Sequence, residues 1–119
     1  MTNEQRAEAI IKKYEFNFSE LSKEEVRELI EKEINYFQEG SSEYIRVLCG
    51  YLYCIGDFPD VSLIEKAKYS INMDVGCMID EEWINSLKGI ENEYTRPRDE
   101  IIKSFIDYYK NFAADDVEW

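Results

Sequence analysis

The residues with the greatest chemical potential fall in one stretch, from Met73 to Trp83. Asp80, Glu81 and Glu82 are three consecutive carboxylates, and Asp74 lies shortly before them. Carboxylates grouped in this way can move protons, hold a hard divalent cation or form an anionic contact surface. Met73, Val75, Cys77, Met78, Ile79 and Trp83 interleave apolar groups among them. The sequence contains no histidine, so Ser-His-Asp and Cys-His sites are excluded. Its three cysteines lack the CxxC spacing of a structural zinc site. Asp57 to Lys68 fails as a calcium loop, because glycine is missing from its sixth position and Lys68 stands where a bidentate glutamate is required. Neither a GxxxxGK nor a GxGxxG phosphate loop occurs. Acidic neighbours raise a thiol pKa, which argues against Cys77 as a nucleophile.

Two readings remain for the Met73–Trp83 stretch. Its apolar residues fold back to plug the end of a helical stack, or they form an apolar centre rimmed by acid. The second is how tight interfaces to basic proteins are built. The expected contact residues are Asp74, Met78, Asp80, Glu81, Glu82 and Trp83. Asp57 and the tail residues Asp115, Asp116 and Trp119 are expected to extend the same face. No catalytic residue, metal ligand or cofactor is expected.

Charge narrows the partners. The 26 acidic and 14 basic residues give a net charge of −12. Direct nucleic-acid binding needs basic residues against phosphate, and anionic membrane surfaces need the same. A strong negative field instead speeds encounter with a basic protein. No apolar run is long enough to span a bilayer, and the opening Met-Thr-Asn-Glu-Gln-Arg lacks a signal-peptide core. Cys49 and Cys54 lie five apart on one predicted helix and point in different directions, so they should not pair. Free thiols fit a reducing cytoplasm.

The elements that must position these residues are helical. Tyr44 to Ile55 carries a single charge, Arg46, and reads as a central helix buried nearly all round. Gly50 in its middle costs about 1 kcal/mol of helix propensity, which predicts a neighbouring helix packed closely against bare backbone. A first helix is expected from Asn3 to Phe16, with Ala7, Ile10, Ile11 and Tyr14 on one stripe. A second opens at Ser22 with a capping box to Glu25 and runs to a Gly40 cap. Asp57-Phe58-Pro59-Asp60 is a tight turn, after which Asp60 caps a helix with Val61, Ile64, Ala67 and Ile71 facing inward. Asn72 to Ile79 has no helical period and reads as a loop, with room for an extended piece from Val75 to Ile79. Asp80 caps a short helix with Trp83, Ile84 and Leu87 on one face, and Pro97 starts a last helix running to about Phe112. At 119 residues the chain is expected to be a single domain, 1–119. The expected fold class is all-α, an irregular stack of about six helices.

The Tyr44–Ser70 segment, two helices joined by an Asp/Pro turn, resembles one unit of a HEAT-like helical hairpin. No second copy with a convincing period follows. The acidity, size, missing active site and helical frame together resemble the immunity proteins of bacterial contact-dependent growth inhibition and related polymorphic toxin systems. That resemblance implies a cytoplasmic protein that binds one cognate toxin, often a basic nuclease, and covers its active site or substrate surface. A monomer or a weak dimer is expected. The alternative is an acidic nucleic-acid mimic or regulatory adaptor for another basic protein, with charge striped at phosphate spacing and few apolar anchors. A hydrolase with a divalent metal at Asp74, Asp80 and Glu81 is the third class.

Overall fold

Ten consecutive residues, Tyr44 to Tyr53, are buried in one helix, α3 (Glu43–Ile55). A helix apolar on every face must be enclosed on every face. The computed structural model, which describes residues 1–112, shows how this chain does it. Six further helices surround α3: α1 (Asn3–Tyr14), α2 (Lys23–Asn35), α4 (Val61–Ser70), α5 (Met73–Met78), α6 (Glu81–Lys88) and α7 (Arg98–Tyr109). Short 3₁₀ turns occupy Phe18–Glu20 and Phe58–Asp60, and no strand occurs among the described residues. The all-α class is as expected, with seven helices rather than about six. The Cα radius of gyration, 13.6 Å, is near the roughly 13 Å of a compact chain this long.

Gly50 is where α7 crosses α3. A Cβ at Gly50 would lie 2.1 Å from Phe105 Cε1, so the ring rests directly on the backbone. Phe105 in turn meets Tyr51, Trp83, Tyr109 and Phe16 edge-on, at centroid separations of 5.2 to 6.2 Å. Arg98 binds the start of α7 to the end of α3, donating from Nη2 to the carbonyls of Tyr53 (2.7 Å) and Gly56 (2.8 Å).

Several helix ends differ from the expectation, and each has a tertiary cause. The first helix stops at Tyr14, not Phe16. Glu15 and Phe16 take left-handed φ of 48° and 59°, and the turn delivers Phe16 to the Tyr51–Phe105 cluster. The second helix stops at Asn35, not near Gly40. Asn3 Nδ2 donates to the Gln38 and Ser41 carbonyls, while the buried Glu33 accepts from the Gln38 amide and from both Arg6 nitrogens. These bonds draw the chain off the helical path. Ser22 accepts from the Glu25 amide as half of a capping box, but the Glu25 carboxylate goes to Tyr14 and Lys13.

The segment read as a loop is helix α5. The Asn72 side chain accepts from the Val75 amide as an N-cap, and the Lys68 ammonium reaches the Gly76 and Ile79 carbonyls at the other end. Val75 and Ile79, one turn apart, are fully buried. No extended piece forms from Val75 to Ile79. Asp60 also does something other than expected: its side chain makes no cap bond to α4. It lies between Lys23 (2.8 Å) and Arg27 (2.6 Å) and accepts from the Asp57 amide, tying the start of α2 to the turn before α4.

Two tests follow from this packing. Gly50→Ala gains about 1 kcal/mol of helix propensity but drives a methyl into Phe105. The expected result is a net loss of about 2–3 kcal/mol in denaturant unfolding, with partial recovery when Phe105→Leu is added. The second concerns Asp60. Burial pushes its pKa up, but Lys23, the Asp57 amide and Arg27 outweigh burial and hold it below the ordinary carboxylate value. The unfolded chain therefore takes up the proton first. The contribution is complete above the unfolded pKa of about 4 and is lost as pH falls through the folded value. Wild type should exceed Asp60→Asn in stability by a constant margin from about pH 6 to 8, and the margin should shrink on acidification below about pH 4. A pH-independent margin would remove the ion-pair account.

Candidate functional site

Arg46 enters α3 among nine other buried residues and is itself only 9% exposed. Each of its three guanidinium nitrogens is engaged. Nε donates to the Met78 carbonyl (2.8 Å), Nη1 to the Tyr109 hydroxyl (3.0 Å), and Nη2 pairs with Asp80 Oδ2 at 3.4 Å. The rings of Tyr108, Trp83 and Tyr109 lie 4.7, 5.1 and 5.3 Å from its carbon. Tyr109 passes the interaction on by donating to Glu43 Oε2 (2.6 Å). Burial opposes the charge on Arg46, but Tyr109, Asp80 and Glu43 together raise its pKa. Burial also pushes the Tyr109 hydroxyl well up, so it serves as a neutral donor. One buried cation thus holds the α5–α6 junction and the end of α7 against α3.

This geometry sorts the expected contact residues. Trp83 is 1% exposed, stacks on Tyr53 at 6.2 Å and 13°, and meets Phe105 edge-on at 5.6 Å. It belongs to the core and is no surface anchor. Its position on the Trp83-Ile84-Leu87 stripe already carried that signal. Met78 is half-buried, and its carbonyl belongs to Arg46. Asp74 is exposed and accepts a hydrogen bond from the buried Ser42 hydroxyl at the start of α3. Asp80 makes no side-chain cap bond to α6, because its carboxylate turns toward Arg46. Glu82 makes a two-point pair with Arg96, at 2.7 and 2.8 Å, which holds its pKa below the ordinary carboxylate value. Glu81 is exposed and makes no ion pair among the described residues. Asp57 belongs elsewhere, beside Lys23 at the start of α2. Asp115, Asp116 and Trp119 lie outside the described residues. No three Cys, Asp or Glu side chains among the described residues converge to hold a metal ion.

The exposed apolar groups at this edge are Tyr69 (66%) and Met73 (86%). With Ile71, Lys68 and Glu81 they line a shallow groove between the end of α4 and α5. The exposed apolar groups at this edge are thus Tyr69 and Met73 rather than Met78 and Trp83, and the groove they line carries one carboxylate, Glu81, and one ammonium, Lys68. Tyr69 was legible as an aromatic off the inward Val61-Ile64-Ala67 stripe.

The basic residues complete the electrostatics. Of 14, only Lys32, Lys66, Lys103 and Lys110 make neither an ion pair nor a side-chain hydrogen bond among the described residues. The rest are bound to carboxylates or to backbone carbonyls. The cations are thus largely spent on holding the fold, and the acidic surplus faces outward.

The Arg46 network makes a sharp contrast between two variants. Arg46→Met should cost about 2–3 kcal/mol, because Tyr109, Asp80 and the Met78 carbonyl all lose a charged donor. Asp80→Asn should cost less than about 1 kcal/mol, because that carboxylate is 40% exposed and sits at 3.4 Å. Urea midpoints for the two variants check both. Comparison with known proteins adds no relative: no family model, no curated protein and no solved structure matches this chain.

Proposed function

We propose that this chain is an inhibitor-type binding protein that neutralises a basic partner, in the manner of an immunity protein covering a toxin nuclease domain. The observation that carries this reading is the division of charge. Ten of the 14 cations have partners within the described fold, acidic residues outnumber basic ones 26 to 14, only Glu33 and Asp60 among the described carboxylates are buried, and Glu81 shares a groove with the exposed Tyr69 and Met73. An apolar patch with an anionic surround fits a cationic protein surface both sterically and electrostatically. The mechanism is occlusion. Carboxylates at the α5–α6 edge, with Glu81 the most available, take the place of substrate phosphates in the partner's basic groove. Tyr69 and Met73 supply the desolvated contact. The free thiols at Cys49, Cys54 and Cys77, the last exposed, suit a reducing cytoplasm as the place of action.

The experiment is a tagged pull-down from the source cells, washed at low and then high salt, with bound proteins identified by mass spectrometry. One basic protein with a nuclease-like domain should survive the high-salt wash, and its activity should fall when this chain is added. Glu81→Lys combined with Met73→Ala should weaken that complex by about tenfold or more while leaving the melting temperature unchanged, since both side chains are exposed. Several basic proteins lost together as salt rises would reduce the acidity to nonspecific attraction and end this reading.

A further inference from the structure

An arginine side chain carries five N–H donors, and the three contacts of Arg46 use three of them. One N–H on Nη1 and one on Nη2 have no acceptor among the described residues, although the residue is only 9% exposed. Arg46 also lines a cavity of about 190 Å³ between α6 and α7. At roughly 30 Å³ per molecule, that is room for about six waters. The rings of Trp83, Phe105 and Tyr108 give it apolar walls, and Ser104, exposed on α7, completes them. Two carboxylates line it as well, and they differ. Glu82 is matched at two points by Arg96, which also lines the cavity. Asp80 is 40% exposed and reaches Arg46 only at 3.4 Å, the longest of the three Arg46 contacts. Asp80 has the extended backbone of an N-cap residue, φ −67° and ψ 124°, without the side-chain bond that a cap makes to its helix.

A buried guanidinium with two N–H groups to spare favours an acceptor that meets both at once. A carboxylate has that geometry and pairs with arginine at two points. The aromatic walls select what the carboxylate is attached to, a compact apolar body. The charges of the cavity cancel, Arg46 and Arg96 against Asp80 and Glu82, so a monoanion enters most readily by displacing one of the acids. Asp80 is the one placed to leave, with a weak pair to lose and the α6 amides to gain. We infer that the α6–α7 cavity is a binding site for a small aromatic monocarboxylate. The ligand carboxylate takes the place of Asp80 on Arg46, the ring lies among Trp83, Phe105 and Tyr108, and Asp80 turns back to cap α6. Occupation of the cavity needs no basic partner, so the site goes beyond the function proposed above.

The test titrates the full chain with benzoate and with its neutral isostere benzamide, following the Arg46 Nε–H and Trp83 indole N–H resonances. Benzoate should shift both with a Kd on the order of 1 mM, the strength expected of so few atoms, and benzamide should bind at least about tenfold more weakly. Asp80→Asn gives the clearest discrimination. It keeps a capping side chain and removes the competing acid, so benzoate should bind it about tenfold more tightly than wild type. If Asp80 only shaped the wall, the variant would bind no better. Ser104→Leu should fill the cavity and abolish the shifts, with a melting temperature near that of wild type because position 104 is exposed. Four results each overturn the inference. They are no shift at about fifty times the expected Kd, benzamide binding as well as benzoate, Asp80→Asn binding no tighter than wild type, and benzoate binding unaltered by Ser104→Leu.

Discussion

The fold depends on the need to enclose α3. Ten buried residues in succession leave no face for water, so helices must cover the element from all sides. Gly50 sets how closely the last of them can approach. With no Cβ there, Phe105 lies on the α3 backbone, and a continuous set of rings assembles around it from Phe16, Tyr51, Trp83 and Tyr109. These residues come from three helices and one turn. The propensity cost of a mid-helix glycine is about 1 kcal/mol, and burial of one aromatic side chain more than offsets it. The Tyr51 hydroxyl is the cost on the other side, a buried polar atom without a hydrogen-bond partner among the described residues. Burial pushes its pKa up to about 12.

Arg46 is the exception that organises the other end. A cation in a low-dielectric interior is tolerable only when its donors are satisfied. Here the partners come from Met78, Asp80 and Tyr109, which lie 32, 34 and 63 residues along the chain. One side chain therefore fixes the register of three later segments against α3. The short helix α5 owes its existence to the same economy of long-range bonds. At six residues it is too short to be stable alone, but Lys68 holds its C-terminal carbonyls and Val75 and Ile79 are buried beneath it.

These causes explain what was legible in the sequence. The α3 helix was legible because its apolar run admits no other placement, and the close approach at Gly50 followed from a glycine that propensity disfavours. The stripes of α1, α4 and α7 were legible from periodicity. The α5 helix was not, because its stability comes from α4 and from a lysine outside its own window. The ends of α1 and α2 were missed for the same kind of reason, as Phe16 and Glu33 take their positions from tertiary partners. Asp60 and Asp80 carry ordinary N-cap signals, yet both carboxylates turn to arginines that sequence spacing could not bring near. Trp83 was read as a surface anchor from its acidic neighbours, although its helical stripe pointed inward. The face formed by Tyr69 and Met73 was hidden because each residue belongs to a different helix.

The division between fold and surface bears on function. Trp83, Tyr109, Arg46 and Phe105 are committed to the interior and cannot meet a partner without unfolding. Tyr69, Met73, Glu81 and Tyr94 are exposed and contribute little to stability, as surface groups generally do. Their substitution can change what is bound without changing what is folded. A net charge of −12 also carries a self-repulsion that opposes compactness. The chain answers it by placing cations where they cross between elements: Lys23 and Arg27 on Asp60, Arg6 on Glu33, Arg46 on Asp80 and Arg96 on Glu82. Each such pair neutralises a carboxylate locally and leaves the net charge unchanged. The helical frame is thus held by paired charge, the unpaired carboxylates keep the surface anionic, and a cationic partner would relieve the repulsion that remains.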